Sequence, residues 1–151
     1  MAWPLVVLAA ASAISGARDA VEESEYNAAI YRKNAKTALE NSEDAVSRGK
    51  FSMVRTQVAA KSMVGSQRAA MAAQGIDIGS GSAADVQADT MATAEIQNLM
   101  IKNNAAREAW GFIAQAGDYE MSAKLGLKMG ENRARASLLT GAANVYSGYK
   151  K

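Results

Sequence analysis

Pro4 is the only proline in a chain of 151 residues, and alanine supplies 33 of them. Proline breaks helices by removing a backbone donor and clashing with the preceding turn. Alanine is the strongest intrinsic helix former. Beyond residue 4 the chain is therefore free to be helical, and glycine clusters are its main punctuation. The stretch from Ser66 to Trp110 shows this most clearly: a long Ala-rich helix, a tight Gly/Ser turn, and a second long helix. Gln74-Gly75 has the form of a helix stop, because glycine enters the left-handed conformation without steric cost. Ile76 is placed to touch Met71, the apolar contact that accompanies such stops. Gly79 lies in the turn, and Ser82 reads as the N-cap of the next helix, with Asp85 favouring its positive end.

The predicted fold class is all-α: long Ala-rich helical hairpins, tip at about residues 75–82, with an apolar N-terminal segment. Small side chains let helix backbones approach closely but bury little area per helix. Stability is therefore expected to depend on neighbouring subunits, in a ring-like homo-oligomer. The expected domains are an apolar segment, 1–17, and a single helical-hairpin domain, 18–151.

Cysteine and histidine are both absent. That removes thiol nucleophiles, Ser-His-Asp chemistry, imidazole acid–base work, and most zinc and haem sites. It also removes disulfides, so the compartment cannot be read from redox usage. Carboxylate chemistry is what remains. The acidic groups Glu22, Glu23, Glu25 and Glu40, Glu43, Asp44 read as a solvated helix face rather than an acid pair. No catalytic residue, metal or cofactor is assigned, and the chain is not expected to be an enzyme.

Residues 2–17 carry no charge and fall just short of the roughly 20 residues that comfortably span a bilayer. Three readings stand: a cleaved signal peptide, a buried helix start with Pro4 in its first turn, and a conditional membrane segment with Trp3 at the interface. Residues 18–47 show small or apolar residues on alternating three- and four-residue steps. The series is Ala17, Val21, Ser24, Ala28, Tyr31, Ala35, Ala38, Ser42 and Ala45, a stripe suited to close helix pairing. Arg18/Glu22, Lys36/Glu40 and Asp44/Arg48 are spaced to pair along the helix. Gly49 is read as a kink or break.

On the second arm, Val86, Thr93, Ile96, Met100, Asn103, Trp110 and Ile113, widened by Leu99 and Ala106, follow helical spacing and read as core. Asn103 on that stripe is expected to specify pairing register. Residues 118–151 read as a third helical piece, in which Gly126 and Gly130 serve close packing. Charge divides the arms. Between Asp44 and Asp77 lie Arg48, Lys50, Arg55, Lys61 and Arg68 without an acid, whereas Asp77, Asp85, Asp89, Glu95 and Glu108 outweigh Lys102 and Arg107 on the second arm. Such faces complement each other within a subunit or between neighbours. The five cations are also candidate phosphate contacts, with nucleic acid bound only nonspecifically.

The runs SQRAAMAAQGIDIGSGSAADVQADT and IKNNAAREAWGF, with the ending SLLTGAANVYSGYKK, resemble the small internal virion (core or ejection) proteins of short-tailed bacteriophages, most specifically over residues 51–115. The resemblance implies a protein packed inside the capsid near the portal. It would leave ahead of the DNA and help form a channel across the host envelope. Implied partners are further copies of itself, the portal, core or tail proteins, and the host membrane; its places would be the virion and then the envelope. On this reading Gly75 to Ser82 form the hairpin tip, and Trp3, Leu5, Val6, Val7, Leu8 and Ile14 contact the membrane. A structural tail or portal-associated protein, a nucleic-acid-binding protein, and a carboxylate-based lytic enzyme are the alternatives.

Overall fold

A computed structural model of the chain describes residues 3–149. It contains two helices, α1 (Trp3–Ala73) and α2 (Gly81–Tyr149), and no strand among the described residues. The cause is local: with one proline at residue 4, nothing interrupts the backbone ladder until the glycines of the turn.

α1 ends in a Schellman motif. Gly75 takes φ 71°, the Ile76 N–H donates to the Met71 carbonyl at 3.0 Å, and the Gly75 N–H donates to Ala72 at 3.0 Å. These bonds satisfy carbonyls that the helix end leaves open. Asp77 then organises the turn. Its carboxylate accepts the Gly79 N–H at 2.9 Å and the Ser80 hydroxyl at 2.8 Å, an Asx turn reinforced from its far side. Gly81, at φ 60°, swings the chain into α2. Because α2 begins at Gly81, Ser82 lies inside its first turn instead of capping it, and no acid stands in that turn; Asp85 follows just after, exposed.

Residues divide into two compact units, Leu39–Ile113 and Met1–Ala38 with Ala114–Lys151. In the first, α1 and α2 pack antiparallel. The residues turned inward are 42, 45, 49, 53, 56, 60, 64, 67 and 71 on α1, and 83, 87, 90, 94, 98, 101, 105, 109 and 112 on α2. Both rows repeat every 11 residues, which favours a slight right-handed coil over the left-handed coil of a heptad. In the second unit the inward row of α1 is 17, 21, 24, 28, 35 and 38, and α2 answers with 116, 119, 123, 126, 130, 134, 137 and 141. Seven-residue spacing returns here. Ala35, Ala38 and Ala116 form its packed centre, with Tyr119 against them.

Three segment boundaries expected from composition are absent. α1 runs unbroken past residue 17, so the apolar start and the charged stretch after it are one helix. Gly49 is no break: a Cβ there would stand 2.5 Å from that of Ala105, so the position serves close approach. Residues 118–149 are no third piece but the continuation of α2, and Gly130 faces Ser24 and the Ala20 carbonyl where a side chain would collide. Gly126, by contrast, has open space beside it.

Candidate interaction surfaces

Side-chain size is inverted across this fold. Among the described residues, the buried apolar ones are alanines and Val64, joined by Ser24, Ser42, Gln87 and Asn98. Most of the large apolar side chains are exposed, while Met53, Met71, Ile101 and Phe112 are half-buried along the seam.

The stripe read on α1 is the row it turns inward. Ala17, Ser24, Ala28, Ala35, Ala38, Ser42 and Ala45 are buried and Val21 half-buried. Tyr31, 37% exposed, meets Tyr119 with ring centroids 6.4 Å apart. Serines fit such a seam because each hydroxyl donates back to its own helix, Ser24 to Val21 and Ser42 to Leu39, both at 2.8 Å.

The stripe read on α2 requires correction. Ile96, Leu99, Met100, Asn103, Trp110 and Ile113 are exposed, Trp110 by 72%, and so are Val86, Thr93 and Ala106. The inward row is Ala83, Gln87, Thr90, Ala94, Asn98, Ile101, Ala105, Ala109 and Phe112. Alanines spaced by 11, Ala83, Ala94 and Ala105, hold the close approaches of the seam, with Ile101 and Phe112 half-buried on the same row. The buried asparagine is accordingly Asn98 and not Asn103, and Asn98 Oδ1 is buried without a hydrogen-bond partner.

Polar staples close the turn end of the Leu39–Ile113 unit. Arg68 Nε donates to Gln87 Oε1 at 2.6 Å, and Gln87 Nε2 donates to the carbonyls of Ile78 at 3.0 Å and Ala83 at 2.9 Å. Gln67 Nε2 donates to Thr90 Oγ1 at 3.0 Å. Arg48 joins Asp44 on its own helix and Glu108 on α2. Of the five candidate phosphate contacts, Arg48 and Arg68 are thus engaged within the unit, while Lys50, Arg55 and Lys61 are exposed on α1. The Asp77 carboxyl is held below its usual range by the Gly79 N–H first and the Ser80 hydroxyl second.

The expected membrane-contacting residues lie at the start of α1. Val7, Leu8 and Ile14 are exposed; the side chains of Trp3, Leu5 and Val6 lie outside the described residues. Among the described residues no helix is long and apolar enough to cross a membrane, and no group of three or more acidic residues is placed to hold a metal ion. The acids Glu22, Glu23, Glu25, Glu40, Glu43 and Asp44 are all exposed, with Arg18 bonded to Glu22 at 2.9 Å. A groove of about 510 Å³ runs beside the seam between Ala59, Ala60 and Met63 of α1 and Val86, Thr93 and Ala94 of α2.

Compared with protein-family models, curated proteins and solved structures, the chain matches none.

Proposed function

We propose that the chain is a non-enzymatic phage virion protein, an internal core or ejection component whose helical hairpins oligomerise into a ring and help form a channel across the host envelope. The observation that carries this reading is the inverted side-chain size. A chain that keeps alanine inside and leaves Leu99, Met100, Trp110, Met121 and Leu125 exposed gains little from its own seam. Apolar area removed from water stabilises by about 25 cal/mol per Å², and here most of the large apolar area stays outside until something covers it. Exposed apolar surface on this scale marks contact with protein or membrane. The exposed Val7, Leu8 and Ile14 suit contact with lipid at its surface. The phage setting is carried by the resemblance over residues 51–115.

Sedimentation of the full chain, with and without vesicles of phosphatidylethanolamine and phosphatidylglycerol, tests it. A discrete oligomer that floats with the vesicles, and ceases to do so when residues 2–14 are deleted, is the expected result. An oligomer indifferent to vesicles gives a structural tail or portal-associated role instead. A monomer indifferent to vesicles sinks both.

A further inference from the structure

Within the Leu39–Ile113 unit, exposed charge is sorted by helix over residues 50–61 and 85–95; outside those stretches Glu40 and Glu43 stand on α1, and Lys102 and Arg107 on α2. Lys50, Arg55 and Lys61 stand on α1; Asp85, Asp89 and Glu95 stand on α2. None of these six forms an ion pair among the described residues, unlike Arg48 with Asp44 and Glu108. Between the charges lie exposed apolar residues on the side of each helix away from the seam: Phe51, Val54 and Val58 on α1, and Ile96, Leu99 and Met100 on α2.

We propose that a second copy of this chain covers these faces, the basic outer face of α1 in one copy packing antiparallel against the acidic outer face of α2 in the next. This rests on the oligomeric reading above and supplies its interface. The hairpin itself sets the register. Gly49 faces Ala105, and Ala60 and Ala94 border one groove, so residue numbers level with each other add to 154 in both cases. Copies standing level then bring Val54 to Met100 and Val58 to Ile96 by the same relation. Arg55 and Lys61 then stand level with residues 99 and 93, each four residues, just over one helical turn, from Glu95 and Asp89. Charge excludes the symmetric alternatives: α1 on α1 would oppose three cations to themselves, and α2 on α2 three anions. Neither a lipid surface nor an apolar partner accounts for the sorting of charge between the two helices. Because the contact joins unlike faces, each copy keeps one edge open until a ring closes.

The absence of cysteine makes the test direct. Val58 and Ile96 lie on outer faces of different helices, so a disulfide in Val58→Cys/Ile96→Cys joins copies. Oxidation is expected to yield a ladder of covalent multimers, with no ladder from Val58→Cys/Arg107→Cys, whose second site lies three turns along α2. Arg55→Glu/Lys61→Glu is expected to weaken self-association at least about tenfold, since like charges then face each other. Adding Asp89→Lys/Glu95→Lys restores it, with helicity by circular dichroism unchanged throughout. Equal ladders from both cysteine pairs, or an unchanged oligomer after the one-sided reversal, would overturn this interface and leave the oligomeric reading standing. A monomeric wild-type chain, with or without vesicles, overturns both.

Discussion

Single glycines in this chain carry opposite meanings, and substitution separates them. At Gly49 an added Cβ would stand 2.5 Å from Ala105, and at Gly130 it would collide with Ser24, whereas Gly65 and Gly111 have nothing within 4 Å. Overpacking a tight contact costs about 1–3 kcal/mol, against which alanine's better helix propensity returns up to about 1 kcal/mol. Urea unfolding should therefore show Gly49→Ala and Gly130→Ala destabilised, with Ala105→Gly rescuing the former. Gly65→Ala and Gly111→Ala should gain about 0.5–1 kcal/mol. Asp77 supplies a pH signature at the same scale. Its carboxyl is held below the usual range by Gly79 and Ser80, so the charged form is the one the folded turn favours. That contribution is full above the ordinary carboxylate pKa and is lost as pH falls through the lowered folded value. Thermal melts between neutral and strongly acidic pH should lose part of their acid sensitivity in Asp77→Asn.

At the level of the helices, Asn98 is the odd member of an alanine seam. Its buried Oδ1 lacks a partner, and leaving such an acceptor unsatisfied costs about 1–3 kcal/mol. Asn98→Ala should leave stability unchanged or raise it, read by the same urea titration; a loss above about 1 kcal/mol would show that the amide holds the helices together. The two helices were not equally legible. α1 could be read because its small residues fall on unbroken three- and four-residue steps from Ala17 to Ala45, and the turn because Gly75 has a specific backbone task. α2 misled because Ile96, Met100 and Trp110 keep helical spacing while facing outward. A search for bulk finds the outer face of such a helix. The alanines Ala83, Ala94 and Ala105, spaced by 11, carried the seam signal. The role of Asp77 in the turn shows in the sequence only as an Asp two residues before a Gly, the Asx-turn pattern. The charge division between the arms needed only the sequence, but which cations were already engaged, Arg48 and Arg68, depended on contacts with α2.

For the whole molecule, the unlike charges on the two outer faces predict salt sensitivity. Contacts between exposed ions are screened within about 8 Å at physiological ionic strength, so raising salt should slow assembly more than it loosens the apolar contact. Stopped-flow light scattering at several salt concentrations would separate the two. A mechanical consequence follows from the cross-helix bonds. They join residues 19 and 23 apart beside the turn, 60 apart at Arg48–Glu108, and 124 apart at Ser137–Ala13. Closing each contact once its inner neighbour is made adds only a small increment of loop, and loop entropy grows slowly with length. Zipping outward from the turn is therefore the expected order of folding. Drawn by one terminus through a passage one helix wide, the chain would peel in alanine-sized steps, so resistance is spread along the path in place of one large barrier at the entrance.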